Sequence, residues 1–393
     1  MNAQHAAHDT RLLRSGVALF AAMIEAVDRA QQEVLIETYI FDFAGAGADE
    51  GRALTRAAQR GVRVCVVVDG VGTGALPLEW AQRFAEAGVQ CRVYSPLAGI
   101  GFWLPSRWRR LHRKLCVVDQ AVAFCGGINI LDDFIDPNVP SGLQLPRLDY
   151  AVSLRGPLVD KVHDAMTQLW SRIEAVRELR SQDIAGALDA LRTAEQDLKL
   201  PTRGTVQLVL RDNVRNRSQI ERAYRKALAS ARHDVVVASA YFFPGLRLRR
   251  ALTMAARRGV RVRLLLQGKY EYFVPYRASR QLYGKLLAAG VEIYEYHASV
   301  LHAKVAVVDG HWATVGSSNL DPFSLLLARE ANVVVRDASF AQDLQASLSE
   351  AMYSGATRVD LHTFAHRPWW QQLVDWGASL VLRFGVFLTG KRY

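Results

Sequence analysis

The chain has 393 residues, of which 50% are hydrophobic and 22% charged, and its formal net charge is +11. This length exceeds what one hydrophobic core usually fills and predicts about two domains, and the absence of any run of about eighteen uncharged apolar residues argues against a membrane-spanning helix. A strongly basic surface favours an anionic partner, either nucleic acid or acidic lipid, and charge alone does not choose between them.

Alternating helices and strands open the chain. Helices are predicted over 15–30, 51–60 and 81–87, and each is followed by a predicted strand, over 33–41, 62–68 and 89–94. Gly61 and Gly88 come directly after a helix and predict its C-terminal cap. This order of elements is typical of an α/β fold.

The second half of the chain repeats the first. The segments TYIF (38–41), RGVRV (60–64) and AGV (87–89) have counterparts in AYFF (240–243), RGVRV (258–262) and AGV (289–291). A repeat near 190 residues is too long for a solenoid and implies a duplicated domain. Because strands and helices alternate in both copies, we expect each copy to form a mixed, largely parallel sheet flanked by helices.

The duplication predicts where the domains begin and end. We expect an N-terminal domain over 1–200, a C-terminal domain over 201–360, and an aromatic and basic tail over 361–393. Pro201 and Gly204 lie in the segment KLPTRGT, after a polar helical stretch, and favour a break there.

One motif occurs twice with the same spacing. Each copy has a His, a Lys two residues later, an Asp that closes an apolar run, and an Asn after a turn of small residues. These positions are His112, Lys114, Asp119 and Asn129 in the first copy and His302, Lys304, Asp309 and Asn319 in the second. A His and a Lys two apart point to the same side of a strand and can share one site. A single such pair is more often a chance surface feature, but two matching copies favour a functional site.

The duplicated motif resembles the HKD motif of the phospholipase D superfamily, H-x-K-x4-D-x6-G-[GS]-x-N. The resemblance covers roughly residues 11–360, and further blocks are similar to the bacterial cardiolipin synthase branch: ETYIF (37–41), DYAVSLRGP (149–157), SSNLD (317–321) and EANVV (330–334). It implies two phospholipase D-like domains related by a pseudo-twofold axis. Their motifs would meet in one shared, metal-independent active site for phosphodiester exchange.

The chemistry of such an exchange assigns a role to most of these residues. One neutral imidazole attacks phosphorus and the other, protonated, donates to the leaving oxygen. The resemblance implies that His112 is the nucleophile and His302 the acid and then the base, although the reverse assignment is chemically equivalent. Lys114 and Lys304 are expected to bind the non-bridging phosphate oxygens, and Asn129 and Asn319 to donate to the same phosphate.

The acidic residues near the motifs have a less direct role. Asp119 and Asp309 are counted with the catalytic set as motif members, but their place at the end of a strand favours a structural or orienting role over a reactive one. The resemblance implies that Asp149 and Glu330, counted with the substrate-binding set, occupy the places of acidic residues that fix an imidazole. Because an ammonium group cannot coordinate a metal ion, we expect neither a metal nor a cofactor.

Three aromatic and basic segments favour a lipid surface over nucleic acid: 101–113, 270–285 and 366–393. Trp and Arg together suit a membrane interface, although partly buried aromatics in solvated basic loops are the alternative for the first two. The tail is either an interfacial amphipathic helix or a terminal helix packed on the body. The four cysteines have no zinc-finger spacing, and the first residues resemble no signal peptide. We therefore expect a peripheral protein on the cytoplasmic face of the cell membrane.

The function predicted first is that of a cardiolipin synthase, which moves phosphatidyl from one phosphatidylglycerol to another through a phosphohistidine and releases glycerol. The alternatives are a phospholipase D that passes the same intermediate to water, a nuclease or phosphodiesterase of the superfamily, and a non-catalytic membrane module. Two intact motifs make the last alternative the weakest. The sequence does not identify the acceptor alcohol or the oligomeric state.

Overall fold

The computed structural model describes residues 9–96, 108–135, 142–180, 204–212, 216–269, 273–322, 324 and 327–388. Several predicted features lie outside these ranges: the start of the chain, most of the aromatic loop before His112, most of the predicted domain boundary, and the last five residues.

The first half forms one sheet with helices around it. Its strands are β1 (Asp9–Arg14), β2 (Glu33–Thr38), β3 (Arg63–Asp69), β4 (Gln90–Tyr94), β5 (Leu115–Val118), β6 (Val122–Gly126) and β7 (Tyr150–Arg155). Its helices are α1 (Ser15–Arg29), α2 (Gly45–Gln59), α3 (Leu78–Ala87) and α4 (Leu158–Arg180). The strand order is β1-β7-β6-β5-β2-β3-β4.

The second half repeats this plan and adds elements at its end. Its strands are β8 (Val206–Arg211), β9 (Asp234–Ser239), β10 (Arg261–Gln267), β11 (Glu292–Tyr296), β12 (Lys304–Val308), β13 (Trp312–Gly316), β14 (Glu330–Val335) and β15 (Ala356–Arg358). Its helices are α5 (Gln219–Ser230), α6 (Leu246–Arg257), α7 (Phe273–Leu287), α8 (Ala338–Gly355), α9 (Leu361–Ala365) and α10 (Trp369–Leu388). The strand order is β15-β11-β10-β9-β12-β13-β14-β8.

The expected α/β architecture with mixed sheets is confirmed, but the expectation of largely parallel pairing is wrong. Among the described strands, the parallel pairs are β2–β3 and β3–β4 in the first sheet and β9–β10 and β10–β11 in the second. The remaining neighbours, including the hairpins of β5 with β6 and β12 with β13, are antiparallel. Short turns that begin at each motif Asp, with positive φ at Asp119 and Gln120 and at Asp309 and Gly310, produce these hairpins, since short connections join antiparallel strands.

The predicted repeat units coincide in detail. Gly61 and Gly259 follow α2 and α6 with φ of +89° and +88°, a conformation that favours glycine and confirms the predicted cap at Gly61. The preceding residues, Arg60 and Arg258, each donate to carbonyls of the previous helix end, at 2.9 Å to Val27 and 2.8 Å to Leu228.

One part of the predicted repeat is shifted by a residue. The sequence match paired Tyr241 with Tyr39, but the structure pairs Tyr241 with Ile40. The hydroxyl oxygens of Thr38 and Ser239 each donate at 2.8 Å to the carbonyl two residues on, which belongs to Ile40 in one half and to Tyr241 in the other. The counterpart of Tyr39 is therefore Ala240.

The two sheets share a central core. One cluster of buried apolar side chains draws on β2, β5 and β7 of the first sheet, β9, β12 and β14 of the second, and helices α4 and α8. Separate clusters lie between each sheet and its outer helices. Strands buried on both faces explain the nearly continuous apolar runs after each motif Lys, and the shared core brings the two motifs together.

Candidate active site

Two backbone bridges join the halves at the motif histidines. Leu111 pairs with Arg329 and Leu148 with Leu301, both in parallel orientation. The amide of His112 donates to the Arg329 carbonyl at 3.0 Å, and the amide of His302 donates to the Leu148 carbonyl at 3.0 Å. The backbone of each histidine is thus bonded to a segment of the other half. The accepting residues, Arg329 and Leu148, directly precede Glu330 and Asp149.

These acidic residues hold the imidazoles across the interface. The Nδ1 atom of His112 lies 3.1 Å from the Glu330 carboxylate, and Nδ1 of His302 lies 2.6 Å from Asp149 Oδ2. Both carboxylates are buried. Because Nδ1 is engaged, Nε2 is the nitrogen that each histidine offers to a substrate. Asp149 and Glu330 therefore contact the histidines directly and are placed to orient their imidazole rings.

The motif aspartates lie elsewhere, which corrects their place among the catalytic residues. Asp119 accepts from the backbone amides of residues 31–33 at 2.8 to 2.9 Å, and Asp309 accepts from those of residues 232–234 at 2.8 to 3.0 Å. Both close the loop that leads into the neighbouring strand, β2 or β9, and neither lines the cavity described below. These contacts support the structural or orienting role expected from their position at a strand end.

The lysines and asparagines of the motifs lie beside the histidines. Lys114 is buried, and its ammonium group donates to the carbonyl of His112 at 2.8 Å. Lys304 makes the equivalent bond to the carbonyl of His302. The side-chain oxygens of Asn129 and Asn319 accept from the amides of Ile40 and Tyr241, at 3.3 and 3.4 Å. The side-chain NH₂ group of each asparagine therefore points away from the backbone amide that its oxygen accepts from.

The small residues between Asp and Asn match the carboxylate they face. A Cβ atom at Gly127 would lie 2.4 Å from Asp149 Oδ1, so no larger residue fits there. The equivalent Ser317 instead donates to Glu330 at 2.5 Å. The Gly-Gly and Gly-Ser variants of the motif thus follow from the two different acids.

The histidines share one cavity of about 510 Å³. Both motif asparagines, Asp149 and the second-half residue Asp321 also line it, together with the cations Arg110 and Arg147. Much of the remaining wall is apolar, with side chains from both halves and from helix α10: Ile40, Ile128, Leu131, Phe242, Phe243, Leu327 and Leu382. A polar floor with an apolar wall suits a substrate that joins a phosphate to hydrocarbon chains.

Comparison with known proteins agrees with this geometry. Residues 23–144 and 224–352 match the family described as cardiolipin synthase, PLD-like domain. The chain is 38% identical over 360 residues to cardiolipin synthase B of Escherichia coli strain K12, covering 92% of this chain and 84% of that protein. It is 29% identical over 362 residues to the cardiolipin synthase of Geobacillus sp. strain WCH70, covering 92% of this chain and 69% of that one.

The chain belongs to the cardiolipin synthase family of phospholipase D-like proteins. Its fold is shared more widely: the crystal structure of phosphatidylserine synthase from Haemophilus influenzae Rd KW20 aligns with a TM-score of 0.69 at 13% identity, over 97% of this chain and 94% of that one. A polyphosphate kinase from Porphyromonas gingivalis aligns with a TM-score of 0.57 at 12% identity, over 90% of this chain and 49% of that one.

Burial sets the protonation states in this member of the cardiolipin synthase family. It lowers the pKa of His112, against the opposing charge of Glu330, and burial with Lys304 and Lys114 holds the pKa of His302 well below its ordinary value. Burial also raises the pKa of Asp149 to about 7. Both histidine pKa values are therefore lowered toward neutral imidazoles, and the raised pKa of Asp149 allows the pair of His302 and Asp149 to hold a shared proton in the neutral range.

The sequence prediction missed several residues of the site. The ring of Tyr39 lies beside that of His112, with the centroids 5.0 Å apart and the planes tilted by 56°. Asp69 accepts the amide of Leu111 at 2.8 Å and pairs with Arg110 at 3.2 Å. The sequence signal for Asp69 was its position at the end of the buried strand β3. That strand lies next to β2, which in turn pairs with the motif strand β5. Nothing in the local sequence identified Arg110 or Arg147, because both lie in irregular segments.

The aromatic tail is both packed and exposed. Asp375, Ala378 and Leu382 on one face of α10 are buried. Asp375 pairs with Arg277 of helix α7 at 3.2 Å and with Arg367 at 2.9 Å. The opposite face exposes large apolar side chains: Trp369, Trp370, Leu373, Trp376, Leu380, Val381, Phe384 and Phe387. Within the described residues, no helix has the length and apolar character needed to span a bilayer.

Proposed function

We propose that this protein is a phosphatidyltransferase that makes cardiolipin and glycerol from two molecules of phosphatidylglycerol. The observation that carries the proposal is the pair of imidazoles, each held by a buried carboxylate of the opposite half and both facing one largely apolar cavity. Two oriented imidazoles provide a nucleophile and a general acid, and the apolar wall suits acyl chains.

In the first step, Nε2 of neutral His112 attacks the phosphorus of the donor lipid. A bond from nitrogen to phosphorus forms, and the bond from phosphorus to the glycerol headgroup oxygen breaks. His302 gives its Nε2 proton to that oxygen, and glycerol leaves. The shared proton of the His302–Asp149 pair supports this role, since it keeps a proton in the site near neutral pH.

In the second step, a hydroxyl of the acceptor lipid loses its proton to Nε2 of His302. The acceptor oxygen bonds to phosphorus, and the bond from phosphorus to His112 breaks. Lys304, and Lys114 in its protonated form, supply positive charge beside the reaction, since burial lowers the pKa of Lys114 to about 7. The NH₂ groups of Asn129 and Asn319 donate to the phosphoryl oxygens as charge moves onto them. No metal ion is required for either step.

The same proposal places the protein on a membrane. The net charge of +11 favours an anionic surface, and the exposed aromatic face of α10 suits the interfacial zone, where Trp side chains are stable. Leu382 on the opposite face of the helix lines the cavity. We therefore propose peripheral binding to anionic phospholipid at the cytoplasmic face of the cell membrane, with no nucleic-acid partner.

The test is to incubate the full chain with phosphatidylglycerol vesicles in the presence of a chelator and to separate the lipid products. Cardiolipin with an equal amount of free glycerol is the expected result. Phosphatidic acid alone would identify a hydrolase. No lipid turnover, with cleavage of a nucleic-acid phosphodiester instead, would contradict the lipid substrate.

A further inference from the structure

The surroundings of the two motif histidines differ at three positions. Strands β2 and β9 are aligned by the equivalent bonds of Thr38 and Ser239, and the motifs by their common spacing. At each of the three positions the first half has a large side chain with a polar group, and the second half has alanine: Glu37, Tyr39 and Arg113 correspond to Ala238, Ala240 and Ala303. The first half can therefore make contacts that the second half lacks.

Arg113 joins the segment that carries His112 to strand β2. It lies between His112 and Lys114 in the chain. Its Nη2 atom donates to Oε1 of Glu37 at 3.0 Å, and its Nε atom lies 2.8 Å from Oε2 of the same carboxylate. Both side chains are buried, and a guanidinium group that faces a carboxylate in this way is held in one orientation.

The second half has no such ion pair between the equivalent positions. Ala238 and Ala303 belong to the central apolar cluster, and their methyl side chains have no polar group that could form one. The position of the residue between the His and the Lys is therefore fixed by a directional polar contact only in the first half.

Tyr39 packs against the same segment from the cavity wall. Its ring centroid lies 5.0 Å from that of His112, and Lys114 Nζ lies 5.4 Å from the Tyr39 centroid. Both distances are within the range of aromatic and cation–π contacts. The carbonyl of Tyr39 accepts from the Thr73 hydroxyl at 3.0 Å, which fixes the backbone from which the ring projects.

The carboxylate partners of the two histidines differ in length. Glu330 lies 3.1 Å from Nδ1 of His112, whereas Asp149 lies 2.6 Å from Nδ1 of His302. A glutamate has one more rotatable bond than an aspartate, so it restrains an imidazole less tightly. In the proposed reaction His112 must direct its lone pair at phosphorus, opposite the bond that breaks, and a small displacement of the nucleophile slows such an attack strongly. The histidine with the stricter requirement therefore has the longer carboxylate partner.

We propose that Tyr39 and the ion pair of Arg113 with Glu37 are positioning residues, which hold the imidazole of His112 in line for attack on phosphorus. This inference rests on the proposed function. It gives a role to Arg113, the variable residue of the H-x-K motif, and to two residues of the β2 segment outside the motif. Loss of these contacts should slow the first step, in which the bond from Nε2 of His112 to phosphorus forms.

The test isolates that step. The donor is phosphatidyl-p-nitrophenol in vesicles, because p-nitrophenolate leaves as a stable anion with the electrons of the broken bond and needs no proton from His302. In a His302→Ala background the base for the second step is also missing, so the protein should release a single equivalent of p-nitrophenolate as phosphatidyl-His112 forms. The rate of this burst, followed by absorbance, measures attack by His112 alone.

The ion pair is removed with Glu37→Met and Arg113→Met together. This double variant leaves neither charge buried without its partner and keeps a similar side-chain volume, so it should fold with little loss of stability, but it loses the directional contact. We expect its burst rate at saturating lipid to fall by about tenfold or more, while the lipid concentration for half-maximal rate and the denaturant midpoint stay nearly unchanged. If this variant does not fold, Glu37→Ala with Arg113→Ala, which reproduces the residues of the second half, replaces it.

A matched control removes another ion pair of the first half. Arg92 of β4 and Glu174 of α4 are paired at 2.6 Å, and neither lines the cavity. The double variant Arg92→Met with Glu174→Met should keep the burst rate of the background.

The ring of Tyr39 is tested in the same background. Tyr39→Ala should lower the burst rate by about tenfold or more, and Tyr39→Phe, which keeps the ring, should retain most of it. A rate in Tyr39→Phe as low as that in Tyr39→Ala would overturn the packing role of the ring.

The outcomes separate this inference from the proposed function. Unchanged burst rates in Tyr39→Ala and in the Glu37 and Arg113 double variant would overturn the positioning role, even if the wild-type protein makes cardiolipin. An equal loss of rate in the Arg92 and Glu174 control would also overturn it, because the effect would then be one of general stability. A wild-type protein that releases p-nitrophenolate but makes no cardiolipin from phosphatidylglycerol would contradict the proposed function alone.

Discussion

At the scale of single residues, the two motif histidines have different surroundings although their motifs have the same spacing. The ring of Tyr39 lies 5.0 Å from that of His112, and Lys114 Nζ lies 5.4 Å from the centroid of the Tyr39 ring. The counterpart of Tyr39 in the second half is Ala240, which has no ring. The additional packing orients the imidazole of His112, and attack on phosphorus requires such an oriented lone pair.

This difference leads to a prediction about the covalent intermediate. With phosphatidylglycerol vesicles, His302→Ala should form phosphatidyl-His112 slowly, because the acid for the first step is missing, and should then retain it, because the base for the second step is missing as well. His112→Ala should form no adduct and no product. Mass spectrometry of the proteolysed protein locates the adduct. His311→Ala, which removes an exposed imidazole outside the cavity, is the control and should turn over normally. An adduct on His302 in the His112→Ala variant would reverse the assignment.

Glu50 is a buried acid that the mechanism does not use. It lies on helix α2 with no exposed surface, and within the described part of the chain neither carboxyl oxygen has a hydrogen-bond partner. Burial, with a smaller contribution from the charge of Asp28, raises its pKa to about 8. The folded protein therefore holds this group protonated at neutral pH, while the unfolded chain releases the proton near its ordinary pKa of about 4.3.

The sign of the resulting pH dependence follows from the raised pKa. Stability from Glu50 is fully present below about pH 4.3 and is lost progressively as pH rises to about 8, by a total on the order of a few kcal/mol. Glu50→Gln cannot titrate, so its free energy of unfolding relative to wild type should be larger at about pH 8 than at about pH 5. Denaturant unfolding at both pH values measures this difference. The exposed Glu79→Gln is the control, and an equal difference at both pH values would refute the raised pKa.

At the scale of elements, α10 contributes to the cavity wall with one face and exposes aromatic side chains on the other. Asp375 and its two arginine partners fix the helix on α7, while Leu382 contributes to the cavity wall. Its other face exposes Trp376 and Phe384 to 52% and 61%. Exposed aromatic side chains concentrated on one face are unusual for a surface that contacts only water.

This arrangement predicts how α10 contributes to membrane binding. The double variant Trp376→Ser with Phe384→Ser should bind phosphatidylglycerol vesicles about tenfold or more weakly in a flotation assay, because two large apolar side chains no longer enter the interface. Replacing Leu361 and Tyr353, which are exposed outside this helix, by Ser should have little effect. At high salt, where the contribution of net charge is screened, the double variant should lose most of its remaining binding. Unchanged vesicle binding would exclude α10 as the docking surface.

At the scale of the whole molecule, the site exists only because the two halves share a core. Glu330 is 218 residues from His112, and Asp149 is 153 residues from His302. Because each histidine pairs with a carboxylate of the other half, neither half contains a complete site alone. The two halves are not identical at this site, because Tyr39 lines the cavity beside His112 while its counterpart in the second half is Ala240.

The sequence by itself determined the duplication, the α/β class, the histidines, lysines and asparagines that surround the site, and most helices and strands to within a few residues. These features depend on local periodicity and on spacing within one motif, which neighbouring residues encode directly. The direction of strand pairing, the shift at Tyr241, the structural position of Asp119 and Asp309, and the exposed face of α10 were decided only by the tertiary structure. Most of these depend on which distant segments pack together, and contacts such as those of Asp119, whose backbone partners lie 86 to 88 residues away, leave no pattern in the local sequence.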